Sequence, residues 1–106
     1  MFIVYLLYSL SARKTYVGYT NGISRRVQEH NLTESSGFTL RYRPWTLIRT
    51  ETYETKQEAV AREKYFKTGR GKDEIKKYVS FFLADEDAVS AAAEEENQTV
   101  KQIGQG

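Results

Sequence analysis

The chain has 106 residues with no Cys, one His and one Pro, which leaves room for one domain and excludes disulfide scaffolds, thiol nucleophiles and sites built on two imidazoles. Its net charge of +2 hides a division: residues 1–83 hold 15 Lys+Arg against 8 Asp+Glu, a balance of +7, whereas 84–106 hold one Lys and six acids, a balance of −5. A basic body points to a polyanionic partner, with ordinary solubility charge as the alternative. No apolar run approaches the roughly 18 residues of a membrane span.

Residues 2–8 are apolar or aromatic at both alternating sets of positions, the pattern of a central strand. Residues 15–20, Thr-Tyr-Val-Gly-Tyr-Thr, form a second strand. The short polar link predicts a hairpin centred between Leu10 and Ser11, with Tyr5 opposite Tyr16 on one face. Asn21 offers a helix N-cap, followed by Ile23 and Val27 at helical spacing and an end near His30 or Asn31. Residues 32–44 read as a loop carrying Arg41, Tyr42 and Arg43, and 45–53 as a third strand.

Thr55 and Glu58 fit a capping box for a second helix that runs to about Thr68 and stops at Gly69. Residues 72–83 predict a third helix with Ile75, Tyr78, Val79 and Phe82 on one side. Residues 84–106 form an acidic, flexible C-terminal tail, transiently helical over 88–96 and open to folding back on the basic face. Strand, strand, helix, strand, helix, helix describes a single small α/β domain over 1–83, with helices packed on a three-stranded sheet.

Glu63 breaks the pattern of the second helix. It lies between Ala59, Val60 and Phe66 on the apolar face, where a carboxylate needs a cation. That cation is a metal ion or, in the plainer reading, Lys67 one turn on. Arg26 and His30 share a face of the first helix beside its apolar stripe. Arg is a planar, fixed cation suited to phosphate, and a Tyr beside it can pass a proton. A carboxylate, an Arg, a His and strand tyrosines make a kit for phosphodiester hydrolysis with one divalent ion.

Residues 3–67 resemble the GIY-YIG nucleases, in the small stand-alone branch. The first motif stands as Ile3-Val4-Tyr5 and the second as Tyr16-Val17-Gly18. Arg26 follows eight residues after Gly18, within an Arg25-Arg26-Val27-Gln28-Glu29-His30-Asn31 helix. Arg43-Pro44-Trp45 precedes the third strand, and Arg62-Glu63-Lys64 with Gly69-Arg70-Gly71 resembles the metal-binding helix and its exit.

The resemblance implies a central three-stranded antiparallel sheet flanked by helices. It also implies an endonuclease that cuts DNA with a single Mg²⁺ or Mn²⁺ held by Glu63. Arg26 would steady the phosphate, Tyr5 and Tyr16 would flank the attacking water, and His30 would assist. Two departures stand out: Ile3 replaces the first motif Gly, and no Asn follows between Glu63 and Phe82. The second implies a weaker hold on the metal.

Without a sequence-reading module, contacts should fall on backbone and shape, with Arg41, Arg43, Lys67, Arg70 and Lys72 as the phosphate contacts. The expected partner is DNA, with RNA allowed by the same charge, and the expected location is cytoplasmic. The alternative is a nucleic-acid-binding module, or a nuclease subunit that depends on a targeting protein partner.

Overall fold

The computed structural model describes residues 1–33 and 37–105, with side chains in the last helix as far as Glu95. Three strands, β1 (Phe2–Ser9), β2 (Lys14–Thr20) and β3 (Thr46–Tyr53), form one antiparallel sheet in the order β2-β1-β3. The central place of β1 explains its apolar character on both sides. Val4 and Leu6 join Ala59, Phe66 and Ile75 in one core. Tyr5 and Leu7 join Trp45 in a second core on the opposite face.

The hairpin register differs from the expected one by two residues. Ser9 pairs with Lys14, so Tyr5 faces Gly18 and Leu7 faces Tyr16. The cause is a tighter, displaced turn closed by Arg13 N–H donating to Ser9 O at 2.8 Å, with Arg13 in the left-handed region at φ 56°. A shift of two preserves side-chain parity. The two tyrosines therefore still share a face, as diagonal neighbours with ring centroids 6.3 Å apart.

Helix α1 (Ile23–Gln28) starts at Gly22, not at an Asn21 cap. Asn21 Oδ1 instead accepts from Arg25 Nη2 at 3.4 Å. The helix then widens into a π-helical turn over Glu29–Thr33. That turn is tied to the following chain by side chains. Asn31 Nδ2 donates to Trp45 O at 2.9 Å while Trp45 N donates to Asn31 Oδ1 at 2.6 Å. The stretch expected to be a loop contains a short helix, α2 (Phe38–Arg41); its residues 34–36 lie outside the described residues.

Thr55 caps α3 (Lys56–Tyr65) as its sequence predicts, accepting from Glu58 N at 3.2 Å and donating to Glu58 Oε1 at 2.9 Å. Gly69, expected to stop this helix, is instead the first residue of α4 (Gly69–Ala84). It does not adopt the positive φ of a C-terminal glycine cap. Thr68 marks the boundary, its Oγ1 donating to Tyr65 O at 2.6 Å and accepting from Gly71 N at 3.1 Å.

The acidic segment is helical over α5 (Glu86–Gln105), and Ala92 on it is 3% exposed; Gly106 lies outside the described residues. Its Ala88, Ala92 and Glu95 line a groove of about 890 Å³ with Trp45, Leu47 and Phe82 on the β3 side of the sheet. No described helix is long and apolar enough to cross a membrane.

An ion cluster that sequence patterning missed ties β3, α3 and α4 together. Arg62 donates to Glu51 through Nε at 2.8 Å and Nη2 at 3.1 Å, and to Glu74 at 2.5 Å. Tyr53 and Arg49 add bonds to Glu51, and Tyr78 adds one to Glu74 at 2.7 Å. Burial pushes Glu51 up, but the bonds from Arg62, Tyr53 and Arg49 and the charge of Arg62 outweigh it and hold its carboxyl at about 2. The Tyr78 bond, against burial and with help from Arg62, lowers Glu74.

A depressed acid contributes its full stability above its unfolded pKa and loses it as pH falls toward the folded value. Between those two values only the unfolded chain takes up the proton. Chemical melts at about pH 5 and about pH 3 should therefore differ by about 2 kcal/mol more in the parent than in Glu51→Gln. Equal pH slopes in the two proteins would contradict this.

Candidate active site

The sequence brings four elements to one cleft of about 480 Å³ at the open edge of β2. Tyr5 enters from β1, Tyr16 from β2, Arg26 from α1 and Glu63 from α3, with Lys67 and Lys72 on the rim. The fifth expected residue, His30, stands behind the cleft and is fully buried. The π-helical turn sets it there, where a regular helix would leave it at the edge of the apolar stripe.

Tyr5 Oη and His30 Nε2 share a buried hydrogen bond of 2.8 Å. The imidazole also meets the Tyr16 ring edge to face at 4.8 Å between centroids. Tyr16 is further held by Phe38 at 6.4 Å and Trp45 at 6.3 Å. Tyr5 is 1% exposed, and Gly18 makes its position possible. A Cβ on Gly18 would stand 2.4 Å from Tyr5 Oη. Only a hydrogen at that position lets the Tyr5 ring cross β2 toward His30.

Arg26 Nη1 pairs with Glu29 Oε2 at 2.9 Å while its side chain faces the cleft. Glu63 keeps 18% of its side-chain surface, and Lys67 Nζ meets its Oε1 at 3.0 Å. The lysine partner foreseen for Glu63 is thus present, and the pair lies on the cleft wall. Among the described residues no group of three acids or histidines forms a ready-made metal cage. A lone carboxylate facing an open cleft fits a largely hydrated Mg²⁺ or Mn²⁺ that takes further oxygens from a phosphate. Glu63 is the residue that would hold it, in competition with Lys67.

The expected phosphate contacts divide. Lys67 and Lys72 line the cleft. Arg70 is exposed at the start of α4, outside the lining, and Arg41 lies over the Tyr42 ring at 5.4 Å. Arg43 is turned toward the π-helical turn. Its Nε donates to His30 O at 2.6 Å and its Nη2 to Glu29 O at 3.4 Å, satisfying carbonyls of the π-helical turn. Phe38 was not foreseen; it lines the cleft although 45% exposed. The signal in the sequence is an aromatic directly after Gly37 in a polar stretch.

Residues 1–79 match the model of the GIY-YIG catalytic domain. The chain belongs to the GIY-YIG family. A GIY-YIG domain is that of an endonuclease-type hydrolase. Over 52 residues the chain is 44% identical to the UPF0213 protein YazA of Bacillus subtilis, covering 49% of this chain and 52% of that one. Over 48 residues it is 44% identical to the UPF0213 protein VNG_2274C of Halobacterium salinarum, covering 45% and 62%.

The matched stretch thus spans about half the length of the first relative and under two thirds of the second. Among solved structures, the UPF0213 protein BH0048 from Bacillus halodurans is similar, at 27% identity and a TM-score of 0.44 over 73% of this chain and 84% of that one. The three-stranded antiparallel sheet flanked by helices agrees with the architecture expected from sequence.

Proposed function

We propose that this GIY-YIG domain hydrolyses DNA phosphodiester bonds with one Mg²⁺ or Mn²⁺ ion, directed by backbone shape or damage more than by base sequence. One observation carries the reading: a carboxylate, a guanidinium and two phenols from four different elements meet in one open cleft. When bound, a divalent ion supplies charge neutralisation and polarisation at the phosphate. The chain's own groups do the rest.

The Arg26 fork grips the non-bridging oxygens and stabilises the charge that grows on them in the transition state. Tyr16, half-buried and facing the cleft, orients the attacking water. Tyr5 and His30, joined at 2.8 Å, form a proton-holding pair beside it. Glu63 would hold the cation, and Lys67, its neighbour on the cleft wall, is placed to meet the phosphate backbone.

A nicking assay with Mg²⁺ and Mn²⁺ on duplex, flap and branched DNA tests the reading. Glu63→Ala and Arg26→Ala should each lower cleavage by about 10²-fold or more while melting like the parent. Cleavage undiminished in either variant would overturn it. A second reading, a binding module or partner-dependent subunit, draws on the pairing of Glu63 with Lys67 and of Arg26 with Glu29. It requires DNA binding by the parent with no cleavage of any substrate until a targeting protein is added. Cleavage of RNA alone would shift the substrate class and leave the site in place.

A further inference from the structure

We propose that the β1–β2 turn and the exposed flank of α4 form a basic track that carries a nucleic-acid strand away from the cleft. This inference rests on the reading of the cleft as a phosphodiester site. Three hollows run in series along α4. The catalytic cleft shares Thr15, Lys72 and Ile75 with a second hollow of about 590 Å³. The second shares Lys76 and Ser80 with a third of about 450 Å³. Shared lining makes them one continuous trough.

Beyond the cleft, which Glu63 also lines, the charge along the trough has one sign. Arg13, Lys72 and Lys76 line the second hollow and Lys76 and Lys77 the third, with no Asp or Glu in either lining among the described residues. Among the described residues no carboxylate forms a salt bridge with these four cations, whereas Arg26, Arg49, Arg62 and Lys67 are all paired. All four are exposed. The groove on the β3 side, by contrast, is lined by Asp85 and Glu95 beside Arg49. Lys72 and Lys76 stand about 6 Å apart along the helix axis, close to two nucleotide steps of one strand.

Arg13 adds a separate observation. It holds the left-handed backbone at φ 56°, where Gly or Asn is favoured and Arg is costly. The turn would be more stable with Gly. A long cation held in that costly conformation, on the lining of the second hollow, is what a phosphate contact explains.

Fluorescence anisotropy of a labelled duplex of about 20 base pairs, in EDTA and over a salt series, tests the track. Lys76→Glu with Lys77→Glu should weaken binding tenfold or more and lower the slope of log K against log salt by about two. Lys56→Glu with Lys64→Glu makes the same change in net charge on exposed α3 positions and should cost less than threefold. Arg13→Gly should raise the melting temperature while weakening binding severalfold.

No DNA binding by the parent, full affinity in the track pair, or equal losses in both pairs would overturn the proposal. Binding that weakens as expected in the track pair, with a parent that binds DNA but never cleaves it, would sink the reading of the cleft and leave the track standing.

Discussion

Alanine at Gly18 is expected to destabilise the fold by about 3 kcal/mol and to lower cleavage at least about 10²-fold in the molecules that remain folded. Gly18 faces Tyr5 across the β1–β2 ladder, and the Tyr5 ring lies over it. The new Cβ would meet Tyr5 Oη at 2.4 Å, Cζ at 2.6 Å and Cε1 at 3.1 Å. The ring has no room to yield, being 1% exposed, bound to His30 and packed beside Tyr16.

Either the strands part or the phenol leaves its pocket. The midpoint of thermal unfolding should fall by roughly 12–20 °C. A double-mutant cycle with Tyr5→Ala checks the mechanism, since removing the ring removes the clash and the two losses should not add. A Gly18→Ala protein that melts with the parent would show that the ring is not confined.

Gly71→Ala is expected to be the most destabilising single methyl addition in the α3–α4 corner. A Cβ there would stand 2.0 Å from Tyr65 O and 2.5 Å from Phe66 Cα. Both are backbone atoms, so no side-chain rotation relieves the overlap and the helices must separate. Phe66 and Ile75 belong to the core on either side of this contact. The expected loss is about 3–4 kcal/mol, a large share of the total for a small domain. Gly69, two residues earlier, provides the control. Among the described residues nothing lies within 4 Å of its added Cβ, so Gly69→Ala should be neutral or stabilise by about 0.5 kcal/mol. Urea melts of the two variants decide the point; equal stability would contradict the packing argument.

Local chemistry made much of the fold and the site legible. The alternating apolar run of β1, the Thr55–Glu58 cap and the acid on the apolar face of α3 are each short-range patterns with a physical cause. Tyr5, Tyr16, Arg26 and Glu63 meet as their positions implied. What escaped depends on longer-range facts. The hairpin register turned on one residue adopting a positive φ, and Arg13 gives no compositional sign of it. The π-helical turn that buries His30 is sustained by Asn31 and Arg43, reaching from or to residues more than ten positions away. The inward turn of Arg43 follows from the same bonds. Gly69 begins a helix because Thr68 supplies the cap, and glycine alone does not distinguish a start from a stop. The Glu51–Arg62–Glu74 cluster was invisible because its members lie on three elements whose packing no single period reports.

The buried bond between Tyr5 and His30 has a consequence for anyone wishing to retarget this domain. Two of its reactive groups, Tyr5 and His30, double as interior filling, whereas Tyr16, Arg26 and Glu63 face the cleft. Libraries diversified at rim positions such as Lys67 and Lys72 can explore new substrates while nearly every member still expresses. Diversity placed at the interior pair would be paid in lost protein before any change in selectivity could be screened.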